Sequence, residues 1–411
     1  MNLTPSNKSA DTRGLQEAAF PDRIIAIRVW PMLAGAALSL FPFTIFSVLL
    51  VPIAASVDVD EAAVGSLRGL GGVAALLAGV LLAPIVGRWA RSWAPSAALV
   101  GLAGVCVLAT AGTVPALVAF CLGIGLCTAL LTPLLITQAI SCFSSPGNSG
   151  RAATLITAVQ SLAAVAAGPV TGLLALAGGW RVALWTTAGA ALALAAVLLW
   201  RRPHENLADE ALHHADYMES FARLWHRPEL LNLIGISILR TTAFMGQLAF
   251  LAVTYDRHFS MGPEAFALVW TLSGAAFFVG NYAAGRWARR AAEAPRAASL
   301  VMASGILAGA SGLPLITLPG SLPLALLGTM LMSLSHAVIA AIVTTLIAHR
   351  GQQCTGAAFS LNAAGQSVGV FAGAALGGLG LAWGNMLGVT LALTLPMAIA
   401  LLLAVVLHRQ H

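Results

Sequence analysis

The sequence predicts an all-α membrane protein, twelve transmembrane helices arranged as two pseudo-symmetric six-helix bundles, and three observations carry that prediction. Charged residues make up 9% of the 411-residue chain and apolar ones (AVILMFWYC) 59%, which leaves too little polar surface to cover a soluble protein of this length. Roughly a dozen apolar runs, most near the ~20 residues that cross a bilayer, follow one another with short polar breaks. Finally, Gly87-Arg88-Trp89-Ala90-Arg91 returns half a chain length later as Gly285-Arg286-Trp287-Ala288-Arg289. Each copy closes one apolar run and precedes another, which is the mark of a duplicated unit.

The elements follow in order, written as spans. Residues 1–28 form a polar tail inside the cell, with Lys8, Arg13, Arg23 and Arg28 approaching the membrane and no signal-peptide pattern. Residues 29–200 hold the first six spans. Span 1 covers 29–55, where Pro42 and Pro52 are tolerable because neighbouring helices re-satisfy the freed carbonyls. An acidic turn (Asp58, Asp60, Glu61) leads to span 2 over 64–86, the first arginine-rich loop, span 3 over 96–111 and span 4 over 115–142. A Ser/Gly/Asn-rich turn ends at Arg151; span 5 covers 152–176, Gly179-Trp180-Arg181 makes the next turn, and span 6 covers 182–200.

Residues 201–228 are too charged to sit in lipid. They form a cytoplasmic linker, either plainly polar or carrying a short membrane-surface helix over 211–225. Residues 229–411 repeat the plan, with spans over 230–255, 265–284, 297–318, 322–348, 357–381 and 386–407, the second arginine-rich loop after the second of these, and a short cytoplasmic tail.

Charge placement tests this map. With both termini in the cytoplasm, every Lys and Arg falls on the cytoplasmic side except Arg181, Arg257, Arg68 and Arg240. Arg68 is taken to lie in the first turn of span 2 and to snorkel outward. The expected setting is the cell membrane, a bacterial inner membrane, with the protein multi-pass and monomeric. The formal net charge of +6 would suggest nucleic acid or acidic lipid in a soluble protein; here position outweighs the total, and no nucleic-acid partner is expected. Cys106, Cys121, Cys127, Cys142 and Cys354 lie in or beside apolar runs without metal-ligand spacing and read as small packing residues. No Walker loop, HExxH or Ser/His/Asp set with an acid at membrane depth occurs, so neither an enzyme nor a cofactor or metal is expected.

Further pairs support the duplication: Arg151 with Arg350, and Gln160-Ser161 with Gln366-Ser367. Gly365, Gly369, Gly373 and Gly377 share one helical face in span 11, as do Ala164, Gly168 and Gly172 in span 5, and such faces let another backbone approach closely.

On these residues the chain resembles the major facilitator superfamily of secondary transporters, over essentially its whole length. Gly87 matches the first glycine of that family's G-x-x-x-D-R-x-G-R signature, and Gly285 and Arg290 match in the second copy. Gly168-Pro169-Val170-Thr171-Gly172 is similar to the G-P-x-x-G core of the efflux antiporter motif, and the general pattern is closest to the drug and sugar efflux branch. Arg91 and Arg289 stand where the family has its acid, so Arg88, Arg91, Arg286 and Arg289 read chiefly as cytoplasmic anchors. The resemblance implies a cavity between spans 1, 4, 7 and 10.

Within the spans no Asp or Glu occurs, and two ionisable residues lie deep, Arg240 and His336. Phe244 and Gln247 follow Arg240 on the same helical face. Two roles stand for Arg240, holding an anionic or acceptor-rich solute or being tied to carbonyls of a neighbouring helix. Two also stand for His336, proton carrier or hydrogen-bonded packing residue. Thr44, Thr128, Thr132, Gln138, Asn362 and Gln366 are candidate polar wall, with Phe41, Phe244 and Trp270 as stacking surfaces. Such a lining suits an amphiphilic or mostly apolar solute. The expected function is secondary transport of a small organic solute by alternating access, as proton-coupled efflux. Uptake or uniport of a small anionic solute is the alternative, and a non-transporting membrane sensor or subunit of the same fold is another.

Overall fold

The computed structural model describes residues 20–82, 93–201, 214–318 and 320–409, and the regular structure among these residues is all helical. Span 1 is three helices: α1 (Asp22–Leu38), α2 (Phe41–Val48) and α3 (Leu50–Val57). Pro42 and Pro52 fall in the first turns of α2 and α3, where the missing N–H leaves no helical bond unmade. Between them Leu49 departs from helical geometry at φ −105°, ψ 23°. Asp58 ends α3 in the left-handed region at φ 54°, and Asp60 caps α4 (Glu61–Leu77) by accepting from the Ala62 N–H at 2.9 Å.

A π-helical turn (Ala78–Leu82) extends α4. Then come α5 (Ala94–Ala109), α6 (Val114–Ser141) and α7 (Pro146–Trp200). At 55 residues α7 is long enough to cross twice, and it turns back at Gly178-Gly179, where Gly179 takes φ 75°, a left-handed position that favours glycine. Arg181 fastens this bend: its Nε donates to the Thr110 carbonyl at 3.1 Å, and its guanidinium lies 4.4 Å from the Trp180 ring centre.

Where the sequence left a plain linker or a surface helix open, residues 214–225 form α8 (His214–Trp225), with Leu224 buried and Trp225 exposed. Four helices with proline in the first turn follow: α9 (Pro228–Phe259), α10 (Pro263–Glu293), α11 (Pro295–Thr317) and α12 (Leu322–Arg350). The last, α13 (Thr355–Arg409), also doubles back, at Asn385 (φ 54°), and its two arms meet backbone to backbone at Gly380 and Gly388. Nine described helical stretches are long and apolar enough to cross a membrane, the two longest have the length for two crossings each, and α5 is a shorter apolar helix, which is consistent with the twelve crossings read from the sequence. Leu173, Leu176, Leu268, Leu391 and Leu402 are well exposed, as lipid-facing residues are and soluble-protein residues seldom are.

Two expectations need correction. The first arginine-rich copy, with Gly87, Arg88 and Arg91, lies outside the described residues, but the second is not a loop. Gly285, Arg286, Arg289 and Arg290 continue α10 as helix as far as Glu293, because Ala and Arg are good helix formers and no proline intervenes before Pro295. Arg286 donates to the Tyr282 hydroxyl one turn back, with its guanidinium 4.9 Å from that ring centre. Nor does Arg68 snorkel. The helix begins at Glu61, so Arg68 sits two turns in, 7% exposed, its guanidinium 5.8 Å from the Phe43 ring centre and its Nη1 without a hydrogen-bond acceptor among the described residues.

The helices before α8 and those after it meet near the α3–α4 turn. On α4, Gly65 faces Phe250 of α9, and Gly69 and Gly72 face Ser367, Val370 and Phe371 of α13. On α7, Gly168 and Gly172 face Ala267 and Trp270 of α10. At this end Arg257 of α9 donates to Glu61 Oε2 at 2.7 and 3.1 Å and to Asn385 Oδ1 at 2.9 Å. At the opposite end, Arg151 pairs with Asp22 and Arg350 with Glu229 at 3.2 Å, each pair within one set of helices. The glycines of span 11 act differently from those of span 5, since Gly365, Gly369 and Gly373 pack on Ile238, Thr241 and Thr242 of α9 within the second set.

The Glu61–Arg257 pair is partly solvated, so its contribution is modest, at most about 1 kcal/mol. Glu61→Gln is therefore expected to weaken the contact between α4 and α9 by no more than about fivefold, read as the distance distribution between spin labels on the start of α4 and the end of α9. An unchanged distribution would show that the glycine contacts alone hold this end shut.

Candidate functional site

A buried polar cluster lies between α9 and α12. Arg240 is 3% exposed and His336 8%. Arg240 Nη1 is 2.9 Å from His336 Nδ1 and 3.0 Å from Nε2, and it donates to the His336 carbonyl at 3.2 Å. Nη2 donates to Ser237 Oγ, one turn back, at 3.3 Å. Each ring nitrogen can accept only through its lone pair, so the guanidinium bond requires one deprotonated nitrogen on His336. The Nε hydrogen of Arg240 is buried with no acceptor among the described residues. That leaves a donor unspent in a place where an unmet donor costs about 1–3 kcal/mol.

An aromatic stack covers the pair. Phe244, one turn beyond Arg240, lies over the His336 ring with centroids 4.0 Å apart at 16°, and Phe277 of α10 lies beside both rings, its centroid 6.5 Å from that of Phe244 and 5.9 Å from that of His336. Hydroxyl bonds hold α12 in register: Tyr255 with Thr329 at 2.9 Å, Ser273 with Ser333 at 2.7 Å, and Ser335 donating to the Gly305 carbonyl at 2.6 Å. Cation, imidazole and aromatic faces therefore sit on rigid helices rather than on loops, as precise placement requires.

The remaining expected residues divide. Among the described residues, Gln247 and Asn362 are buried and each keeps an unmatched polar atom, Nε2 and Oδ1 respectively, and Gln138 is buried with both amide atoms unmatched. By contrast, Thr44 and Thr128 spend their hydroxyls on their own helices, donating to Leu40 and Ile124 carbonyls at 2.9 and 2.7 Å. Thr132 accepts from Gln160 Nε2 at 3.2 Å, bridging α6 and α7. Phe41 is half-buried against the core, Gln366 is half-buried, and Trp270 is committed to the α7–α10 contact. Gly168, Pro169 and Gly172, the antiporter-like residues, lie on α7, with the two glycines in that same contact.

Sequence reasoning placed Arg240 and Phe244 on one helical face and found His336 separately, but it did not bring His336 to that face, and it missed Ser237 and Phe277. The depth of Arg68 was missed because the span was begun at residue 64, whereas the helix starts at Glu61.

Comparison with known proteins agrees with this architecture. Over 186 residues the chain is 31% and 30% identical to chloramphenicol efflux pumps of two Mycobacterium tuberculosis strains, CDC 1551 and H37Rv, a match spanning 44% of the chain and 43% of each relative. Among solved structures, an inward-facing bacterial homologue of the human lysosomal transporter Spinster superposes with TM-score 0.78 at 15% identity, covering 95% of this chain and 98% of that one. The nucleoside transporter NupG superposes at 0.72 and 14%, covering 92% and 98%, and the human organic anion transporter MFSD10 at 0.63 and 17%, covering 94% and 100%. With the Major Facilitator Superfamily model matching residues 32–353 as well, the chain belongs to that superfamily and is a multi-pass membrane protein.

Proposed function

We propose that the protein exports a small, mostly apolar, acceptor-bearing organic solute across the cell membrane in exchange for protons, residues 29–200 and 229–411 rocking about a site on α9 and α12. The observation that carries this reading is the buried Arg240–His336 pair under the Phe244 and Phe277 rings. It offers an unspent donor, a titratable group and stacking faces within one small volume. The relatives named for chloramphenicol efflux support an aromatic amide of that kind as the first solute to test. The same absence of a membrane carboxylate favours a second reading, uptake or uniport of a small anion drawn to Arg240. A cytoplasmic location for both termini, an inner-membrane setting and a monomeric state belong to the proposal, supported by the arginine asymmetry of the sequence.

Proton coupling has a physical route here. A proton on His336 removes the lone pair that accepts from Arg240 and sets two cations in contact, so the bond cannot persist. Proton occupancy and the position of Arg240 are thereby linked, which is what an exchanger needs.

Purified protein in proteoliposomes is expected to move labelled chloramphenicol faster when a pH gradient is imposed. Flux that ignores the gradient would leave uniport, and no movement of any solute across a broad panel would remove the transport proposal. His336→Gln, which preserves size and hydrogen bonding, is expected to abolish gradient-driven accumulation while sparing solute exchange at equal pH; full gradient-driven transport in this variant sinks the proton-carrier role.

A further inference from the structure

Two arginines at the end of the bundle where α1 begins play no part in the site above. Arg28 of α1 and Arg201, which ends α7, line a groove of about 400 Å³ together with Met32, Leu198 and Trp200. Both guanidinium groups are braced on aromatic faces. Arg28 lies 5.6 Å from the Phe20 ring centre and 5.3 Å from that of Phe143, and Arg201 lies 5.4 Å from that of Trp30. A guanidinium held this way gives up little freedom on meeting an oxyanion, whose fork geometry it matches.

The surroundings are apolar and face outward: Ile24 and Ile27 of α1, with Leu199 and Trp200 of α7, are exposed. In a membrane protein such residues meet acyl chains, with tryptophan at the headgroup level. A cationic head on an apolar rim at the bundle edge fits a molecule that is anionic at one end and hydrocarbon at the other.

We propose that this groove binds one anionic phospholipid, its phosphate on Arg28 and Arg201 and its chains along Ile27 and Trp200. The apolar rim distinguishes this occupant from a free phosphate, which would gain nothing from it. Two arginines near a surface that binds anionic lipid favour it over a zwitterionic lipid by roughly thirtyfold, and one by about fivefold.

The test uses the full chain in nanodiscs of mixed phosphatidylglycerol and phosphatidylcholine, with co-purifying lipid read by native mass spectrometry. Wild-type protein is expected to retain phosphatidylglycerol preferentially; R28Q/R201Q is expected to lose that preference by roughly thirtyfold, while R28K/R201K keeps most of it. Millimolar inorganic phosphate is expected to leave the lipid in place. R201Q alone, at a helix end and so of little consequence for folding, is expected to lose about fivefold and reads the same effect should the double variant misfold. Equal retention of both lipids by the wild type, unaltered preference in R201Q, or displacement of the lipid by phosphate would each overturn the proposal.

Discussion

Arg240→Ala is expected to reduce solute flux to background and to weaken solute binding by about tenfold or more. The estimate rests on what the guanidinium can supply: hydrogen bonds from a charged donor contribute roughly 1.5–3 kcal/mol, and 1.4 kcal/mol is tenfold in affinity. Burial magnifies the consequence, because Arg240 is 3% exposed and water cannot replace it. The variant also strands the Ser237 hydroxyl and the His336 ring, yet it removes a charge whose insertion costs at least ~2.5–3.5 kcal/mol. Folding should therefore suffer much less than function. Arg240→Lys keeps the charge but cannot reach His336 and Ser237 from two nitrogens at once, and is expected to retain weak binding with little flux. Binding by isothermal calorimetry and flux in proteoliposomes, each with anionic and neutral solutes, check both variants. Unchanged affinity for both solute types in both variants would leave Arg240 only the structural role of tying α9 to α12.

Gly72→Leu is expected to hold the protein open at the end where α4 and α13 meet. A Cβ at position 72 would stand 2.4 Å from the Ser367 carbonyl oxygen and 2.9 Å from the Phe371 nitrogen. Both are backbone atoms that no rotamer change can clear, so the helices must separate. Overpacking of this sort costs about 1–3 kcal/mol even where side chains can adjust, and 3 kcal/mol is more than a hundredfold in a two-state population. Gly168→Leu meets the Ala267 carbonyl at 2.7 Å across the other contact and is expected to act in the same direction. Gly79→Leu, where a Cβ meets nothing within 4 Å, is the control. Electron–electron resonance distances between α4 and α13 measure the opening; a Gly72→Leu distribution matching that of Gly79→Leu would show that this glycine does not govern closure.

Much of this was legible in the chain because lipid imposes simple rules. A bilayer demands long apolar runs and confines arginines to their ends, so the twelve crossings and the paired halves could be read from hydropathy, Arg placement and one repeated pentapeptide. The depth of Arg240 and His336 followed from counting along their helices. What could not be counted was helix against helix. Nothing in the spacing says that Arg240 meets His336 rather than a solute, or that Phe277 from a third helix closes over them, because these are contacts between residues distant in sequence.

The same limit explains the errors. An arginine-rich pentapeptide between two apolar runs reads as a loop, yet helix propensity runs through its second copy to Glu293. Arg68 reads as a surface charge until the start of α4 at Glu61 fixes its depth. The glycines of α4 carry the contact between the two sets of helices, whereas the more regular glycine face of span 11 serves internal packing on α9. The sequence by itself pointed to the membrane class, to twelve crossings and to the depth of Arg240 and His336, since each depends on composition and one-dimensional spacing. Only the tertiary structure decided which of those groups touch, which small faces bring the two sets of helices together and at which end they close, because interhelical distance depends on how every side chain between two backbones is accommodated at once.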